Sequence, residues 1–208
     1  MDHRLIPVIG IERLRMQTDG TGVRTLIGTH GCPLRCQYCL NPQSWNGTKK
    51  PTLYTPEQLF QKVFIDNIYF QATNGGITIG GGEPLLYIDA LSQFVDMCPN
   101  NWNLWIETAL NVSCDSVIQA SNLFDHFLID IKTTNPSIYK AYTGKELKPA
   151  LENLLLLQEL VGNEKITVRV PQIPGFVSKE QQEETAELLQ SLGFDSLDLF
   201  IYRTTIKK

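Results

Sequence analysis

The regular alternation of two kinds of segment is the feature that most constrains how this chain of 208 residues can fold. Short runs rich in β-branched and aromatic residues are followed by segments whose apolar residues recur with helical spacing. The strand-like runs cover residues 23–29, 76–79, 104–108, 127–131, 166–170 and 197–202. Six predicted strands that alternate with five predicted helices indicate repeated βα units and therefore a parallel sheet.

The predicted helices carry recognisable start and stop signals. Thr55-Pro56-Glu57 is typical of a helix start, with Thr as the N-cap and Pro at the first helical position. Ser178 is the expected N-cap of a later helix that ends at Gly193. A third helix is predicted around residues 150–157, and shorter ones are predicted over 88–96 and 113–122.

The βα repeats predict an α/β fold. Right-handed crossovers curl a parallel sheet toward a barrel, which eight units would close and six would leave open. We therefore expect an open, partial (β/α)6 TIM-like barrel in a single domain spanning residues 1–208, with 1–22 as an N-terminal extension and 23–202 as the barrel. A doubly wound open sheet is the alternative. In both architectures, ligands bind at the carboxyl ends of the strands.

Composition and charge bear on partners and location. With 22 acidic and 18 basic side chains, the formal charge of −4 does not suggest a nucleic-acid binder. No apolar run approaches the ~20 residues that would cross a bilayer. The first residues also lack the basic start and apolar middle of a secretory signal. We expect a cytoplasmic protein with neither a membrane nor a nucleic acid as its partner.

Three of the five cysteines lie close together after the first predicted strand, in Cys32-Pro-Leu-Arg-Cys36-Gln-Tyr-Cys39. An odd number of cysteines in a reducing compartment does not favour disulfides. A [4Fe–4S] cluster takes one protein thiolate per iron, so three would leave one iron open to another ligand. A zinc site completed by His30, or three thiols without a metal, remain alternatives. The remaining cysteines are expected on helices as small buried side chains, namely Cys98 and Cys114.

A glycine run follows the second predicted strand, in Gly80-Gly81-Gly82-Glu83-Pro84. It lacks the G-x-G-x-x-G pattern of a dinucleotide loop and the G-K-[ST] end of a P-loop. Glycine lets the backbone approach a ligand without a Cβ clash. Backbone carbonyls together with a carboxylate are suitable acceptors for an ammonium group.

Charged and hydroxyl side chains also occur in later predicted strands or at their ends. A charge inside a barrel strand is costly unless it is paired or binds a ligand. These residues therefore belong either to structural ion pairs or to a binding site. They are Glu107, Thr108, Asp130, Lys132 and Arg169.

The cysteine spacing, with the aromatic Tyr38 before the last Cys, resembles the radical S-adenosylmethionine (radical SAM) superfamily. The resemblance implies a [4Fe–4S] cluster on Cys32, Cys36 and Cys39, whose open iron chelates the amino and carboxylate groups of SAM, with Tyr38 in the SAM site. It implies that the reduced cluster splits the sulfonium into methionine and a 5′-deoxyadenosyl radical, which abstracts a hydrogen atom from the substrate. Such a cluster is oxygen-labile, which suits anaerobic conditions.

The glycine run is similar to the GGEP motif of the same superfamily. That resemblance implies that Gly81, Gly82 and Glu83 engage the methionine amino group of SAM. The two motifs stand in the expected order, at the ends of successive predicted strands.

A narrower resemblance concerns the activating enzymes of glycyl-radical enzymes. Residues 19–24, Asp19-Gly-Thr-Gly-Val-Arg24, are similar to their D-G-x-G-x-R motif, and residues 39–45 are similar to C-H-N-P-x-x-W, with Leu40 in place of the usual His. This resemblance implies abstraction of the α-hydrogen from a glycine of a partner enzyme, and a flavodoxin- or ferredoxin-like electron donor. It also implies that Asp19, Arg24 and Trp45 contact the partner.

The same resemblance gives the charged strand ends a use around the SAM carboxylate and ribose, with a monovalent cation in some cases. The residues concerned are Glu107, Thr108, Asp130, Lys132 and Arg169. Arg203 stands where such activases often have a His that contacts the adenosine. Two alternatives remain open: a radical SAM enzyme that acts on a small molecule or peptide, and a non-catalytic iron–sulfur or zinc-binding module.

Overall fold

The structure is a computed structural model that describes residues 4–16 and 19–202. Within these residues, eight strands form one sheet in the order β3-β1-β2-β4-β5-β6-β7-β8. The strands are β1 Ile6–Met16, β2 Val23–Thr29, β3 Thr52–Tyr54, β4 Gly76–Gly81, β5 Asn103–Thr108, β6 His126–Asp130, β7 Ile166–Gln172 and β8 Leu197–Ile201.

Six of these strands match the six predicted ones and run parallel. From β2 through β4, β5, β6 and β7 to β8 they lie side by side in chain order. Because the order never reverses, right-handed crossovers place every connecting helix on the same face of the sheet. A doubly wound sheet needs such a reversal, so that alternative is wrong. The predicted open, partial barrel with parallel strands is confirmed.

Two further strands, β1 and β3, were not predicted. β1 pairs antiparallel with β2, and β3 pairs antiparallel with β1. The segment expected as an N-terminal extension therefore contributes a strand to the sheet. Asp66, fully buried, ties this strand to the helical layer by accepting hydrogen bonds from Arg13 Nε at 2.9 Å and from Thr25 Oγ1 at 2.7 Å.

Seven α-helices are found in the described ranges. They are α1 Pro56–Val63, α2 Asn67–Thr73, α3 Ile88–Val95, α4 Cys114–Ser121, α5 Pro136–Thr143, α6 Lys148–Val161 and α7 Lys179–Ser191. Thr55 and Ser178 cap α1 and α7 as predicted, each in a capping box with a glutamine three residues on. Helix α5 was not predicted; Asn135 caps its start, and Gly144, with φ of 75°, ends it. No helix of residues 4–16 and 19–202 has the length and apolar character to span a bilayer.

Alternate residues of the parallel strands point to opposite faces of the sheet. Ile77, Ile106 and Val168 belong to the main apolar core between the sheet and the helices. Their neighbours in the chain, such as Trp105 and Arg169, lie on the other face, which is the inner face of the barrel. The carboxyl ends of β2 and β4–β8 share one edge of the barrel, and the segments that follow them form the candidate site.

Candidate active site

The three clustered cysteines lie in the loop that follows β2. Cys32, Cys36 and Cys39 are free thiols that are each partly exposed. Cys98 is buried, as predicted, although it lies just beyond α3 rather than on a helix. Cys114 is exposed at the start of α4, so the prediction that it is buried is wrong.

The backbone of the cysteine loop is held from two sides. The amide of Arg35 donates to the carbonyl of Thr143 at 2.8 Å, and the amide of Gln37 donates to that of Tyr142 at 3.1 Å. Both carbonyls belong to the end of α5, where helix carbonyls lack intrahelical partners. On the other side, the amide of Gly31 donates to the carbonyl of Ser44 at 2.6 Å. The loop is therefore fixed by the protein alone.

Arg35 adds a side-chain clamp to this loop, which the sequence motifs did not reveal. Its Nη1 donates to the carbonyls of Cys32 at 2.6 Å and Leu34 at 2.7 Å. Its guanidinium carbon lies 5.0 Å from the ring centroid of Trp45, in a cation–π arrangement. Trp45 thus braces the cysteine loop through Arg35, and its indole Nε1 is buried with no hydrogen-bond partner among the described residues.

Tyr38 packs within a small apolar cluster beside the loop. Its ring centroid lies 5.9 Å from that of Phe176, edge to face, and 6.3 Å from that of Tyr142. Cys36 also packs against this cluster, whose buried members are Tyr142, Ile173, Val177 and Tyr202. The predicted contact of Tyr38 with SAM stays a prediction, whereas its packing role is direct.

The thiols are in a setting that favours their protonated form. Burial raises the pKa of Cys32 to about 12, and the nearby Glu83 carboxylate adds to the effect. Burial raises the pKa of Cys36 to about 11, although the positive charge of Lys132 opposes the shift. These thiols must lose their protons when they bind iron, because the thiolate is the ligand.

The donor set fits a cluster better than a single ion. In the part of the chain that the structure describes, no three His, Cys, Asp or Glu side chains are grouped to hold one metal ion. A zinc site completed by His30 is therefore not preformed. A [4Fe–4S] cluster takes each thiolate on a different iron, so its ligands need not converge on one point.

The glycine run brings the end of β4 against the start of the cysteine loop. A Cβ at Gly82 would lie 2.1 Å from the carbonyl oxygen of Gly31, and Gly81 has φ of 93°. The amide of Gly82 donates to the carbonyl of Thr29 at 2.9 Å, and that of Glu83 donates to Gly31 at 2.7 Å. Only glycine permits this approach, so the run positions the backbone of Gly81, Gly82 and Glu83 beside the thiols.

The side chain of Glu83 joins the end of β4 to the end of β5. Its Oε1 accepts from Thr108 Oγ1 at 2.7 Å and from the Leu85 amide at 3.2 Å, and its Oε2 accepts from the Ala109 amide at 3.0 Å. Burial raises the pKa of Glu83 to about 7, although the three donors lower it. The side chains of Glu83 and Thr108 are thus engaged with each other, and their contact with SAM stays a prediction.

Four charged side chains in or just after β5–β7 form two ion pairs. Arg169 Nη1 lies 3.1 Å from Glu107 Oε1, and Lys132 Nζ lies 3.1 Å from Asp130 Oδ2. Burial raises the pKa of Glu107, although Arg169 opposes the shift. Burial lowers the pKa of Lys132, but Asp130, Cys36 and two nearby tyrosines together outweigh that effect, so the pKa ends above its usual value. The structure therefore brings these residues together as ion pairs; their role as SAM ligands stays a prediction.

Asp19 and Arg24 lie at the opposite end of the barrel. Arg24, at the start of β2, is 1% exposed; its Nε donates to Thr78 Oγ1 at 2.7 Å, and its guanidinium carbon lies 4.7 Å from the Trp105 ring centroid. Thr78 Oγ1 also donates to the carbonyl of Asp19 at 2.7 Å. The structure thus gives both residues a bracing role and does not bring them to the cysteine loop. Arg203 lies outside the described residues.

Comparisons with known proteins agree with this geometry. The family model described as "Radical SAM superfamily" matches residues 26–189. The chain is 31% identical over 191 residues to the pyruvate formate-lyase-activating enzyme of Clostridium pasteurianum, an alignment that covers 89% of this chain and 78% of that one.

Solved structures show the same fold at low sequence identity. Streptococcus suis SuiB bound to S-adenosylmethionine superposes with a TM-score of 0.66 and 14% identity, over 85% of this chain but only 39% of SuiB. Escherichia coli QueE superposes with a TM-score of 0.57 and 17% identity, over 95% of this chain and 83% of QueE. These likenesses concern the fold alone.

Proposed function

The chain belongs to the radical SAM superfamily, and we propose that it is an activating enzyme that removes a hydrogen atom from a glycine of a partner glycyl-radical enzyme. One observation carries the proposal. The cysteine loop, the backbone of Gly81–Glu83 and the charged pairs lie at one edge of an open barrel, in a chain most of which aligns with a pyruvate formate-lyase-activating enzyme.

Within this proposal, the residues that hold the iron are Cys32, Cys36 and Cys39. A [4Fe–4S] cluster bound there, with SAM on its open iron, would supply the reductive cleavage that generates a 5′-deoxyadenosyl radical. The chain's own contribution is to fix the loop through α5 and Arg35 before any metal binds. Because the loop is already fixed, the three thiols need little rearrangement to bind iron.

The residues around the loop suit the two ends of an amino acid. The backbone carbonyls of Gly81 and Gly82, next to the cysteine loop, are acceptors for an ammonium group. Lys132 is a point charge suited to a carboxylate. A bound carboxylate beside Glu107 and Asp130 would place three negative groups against two positive ones, which favours a monovalent cation at that point.

The open sheet provides a route for a protein substrate. In the described sheet, β3 and β8 are the outermost strands and do not pair with each other. A glycine-bearing loop of a partner enzyme can therefore approach the inner face of the barrel from the side. A closed barrel would block that approach.

Location and electron supply complete the proposal. Free thiols destined for iron need a reducing compartment, so we place the protein in the cytoplasm, under anaerobic conditions. The electron for SAM cleavage comes from a flavodoxin- or ferredoxin-like donor.

Electron paramagnetic resonance tests the proposed reaction. Anaerobically reconstituted protein, reduced and mixed with SAM and a candidate glycyl-radical enzyme, should give the doublet of a glycyl radical. A partner whose radical glycine is replaced by Ala is the matched control and should give no doublet. Rapid formation of 5′-deoxyadenosine with a small substrate, in the absence of any partner, would contradict the proposal and favour a small-molecule enzyme.

A further inference from the structure

Positive charge is concentrated in the two segments that build the cysteine site. From Gly20 to Pro56 and from Ile131 to Lys145 the sequence contains no Asp or Glu, although the chain as a whole has a formal charge of −4. The first segment holds the cysteine loop, and the second contains α5, which supports that loop. Charge is therefore distributed unevenly around this site.

The two segments meet at Arg35. A Cβ placed on Gly144 would lie 3.8 Å from Arg35 Cβ, and the Arg35 guanidinium lies over Trp45. Lys145 directly follows Gly144, and the loop after Trp45 carries two more lysines. Lys49 Nζ donates to the carbonyl of Ile9, and the neighbouring Val8 pairs with Thr29 at the carboxyl end of β2, so Lys49 lies at the edge that carries the cysteine loop. We give the name basic face to the exposed cations around this loop, which are Arg35, Lys49, Lys50 and Lys145.

The basic face is exposed and its charge is not neutralised within the described chain. All four side chains are exposed, and none forms an ion pair with a carboxylate among residues 4–16 and 19–202. Lys49 donates to a backbone carbonyl, that of Ile9, which leaves its charge in place. The inner face of the barrel differs, because Arg169 and Lys132 are each paired there with a carboxylate.

We propose that the basic face is the docking surface for an acidic one-electron donor protein. The inference rests on the proposed function, because only a chain that loads an iron–sulfur cluster needs such a donor. Arg35 bonds directly to the carbonyl of Cys32, so a protein seated on this face lies against the cysteine loop. One electron passes from the reduced cofactor of the donor to the cluster, and no atom or proton is transferred.

The physical character of the face fits a redox partner. Complexes of electron carriers are small, weak and transient. Complementary charge accelerates their encounter and orients the partners more than it increases affinity. An exposed cationic face beside the iron ligands meets these requirements for a partner with an acidic surface.

Binding of an oxidised acidic flavodoxin to the reconstituted protein tests the proposal by calorimetry. The double variant Lys50→Glu with Lys145→Glu reverses the charge of the basic face without touching Arg35. The control, Lys62→Glu with Lys165→Glu, makes the same change in net charge at two exposed lysines outside the basic face, one on α1 and one just before β7. We expect roughly tenfold weaker binding for the first variant and less than about twofold for the control at ~0.1 M salt, with the difference lost at ~1 M salt.

Reduction of the cluster provides a second readout. Flavodoxin hydroquinone should reduce the Lys50→Glu/Lys145→Glu variant roughly tenfold more slowly than the control in stopped-flow absorbance. Dithionite, which needs no docking surface, should reduce both at the same rate. Equal rates and equal affinities for the two variants would overturn the inference. So would an oligonucleotide that binds the basic face more tightly than flavodoxin and displaces it.

Different experiments would show failure of the proposed function and failure of the proposed docking surface. If the wild-type protein, reduced with dithionite, loads a cluster but never cleaves SAM, the proposed function fails. The calorimetric comparison uses oxidised flavodoxin and needs no turnover, so it reports on docking independently.

Discussion

Replacing Glu83 with Gln tests the account of how the end of β4 is held. The Glu83 carboxyl is 1% exposed and accepts three hydrogen bonds, from Thr108 and from the amides of Leu85 and Ala109. Its pKa is raised by burial from an ordinary value of 4.5 to about 7. At ~1.4 kcal/mol per pKa unit, this difference corresponds to about 3 kcal/mol of folding free energy that depends on pH.

The sign of this dependence follows from which state binds the proton. Below about pH 4.5 the carboxyl is neutral in both the folded and the unfolded chain. As the pH rises toward about 7, the unfolded chain releases the proton before the folded chain does, so the stability falls. Above that pH both states are ionised and the loss is complete. Gln does not titrate, so the stability of Glu83→Gln does not fall with rising pH in this way. Its remaining cost is the lost hydrogen bond from the Ala109 amide, about 1 kcal/mol at every pH.

Urea unfolding of the reduced, iron-free chain from about pH 5 to about pH 8 measures the difference, with tryptophan fluorescence as the probe. The unfolding free energy of Glu83→Gln minus that of the wild type should increase by about 2–3 kcal/mol from about pH 5 to about pH 8. Glu184→Gln, which makes the same charge change at an exposed position on α7, is the control. A constant difference between wild type and Glu83→Gln at every pH would refute the reasoning. It would mean that the three hydrogen bonds keep the carboxyl ionised despite burial.

Further substitutions separate ligands from structural residues. Cys32→Ala, Cys36→Ala and Cys39→Ala should each abolish the iron–sulfur absorption band after anaerobic reconstitution, because each removes a thiolate. Cys98→Ala should retain the band and lower the unfolding free energy by on the order of 1 kcal/mol; loss of the band would show that the ligands are wrongly assigned. Arg24→Leu should lower the unfolding free energy by about 3 kcal/mol in urea unfolding, since it removes a buried, hydrogen-bonded cation. Normal glycyl-radical formation by the remaining folded protein would support a bracing role, whereas its loss would support the predicted partner contact.

The parallel strands were predictable because each is a short run of β-branched or aromatic residues with turn signals around it. β1 lacks that regularity. Its pairing with β2 shifts register between Val8 and Gly10 and again between Glu12 and Arg15, so the two-residue period is interrupted. Helix α5 was missed because its buried face consists of Tyr139, Tyr142 and Thr143, which do not form an aliphatic stripe of helical spacing. Its Asn135-Pro136 start and the following Gly144 were the available signals.

Sequence motifs located the candidate site, but they did not predict which contacts each side chain makes. The hydrogen bond between Glu83, just after β4, and Thr108, at the end of β5, joins residues far apart in the chain, and no local sequence pattern predicts such a contact. Arg24 illustrates the opposite case, because its position was readable. It precedes most of β2, whereas Cys32 follows that strand, so the two had to lie at opposite ends of the barrel. The motif resemblance suggested partner contact; strand direction argues against it.

The placement of the thiols is set largely by residues that need not touch a ligand. Gly82 allows β4 to lie against Gly31, Glu83 fixes the end of β4 to β5, and the carbonyl of Thr143 holds the cysteine loop from α5. Because the three constraints act on different parts of the same edge, loss of one displaces the loop without removing a thiol. Substitutions at these positions should therefore lower the fraction of protein that loads iron, while the molecules that do load it keep the spectrum of the wild type. Loss of a cysteine differs in kind, since it changes the ligand set itself and therefore the spectrum.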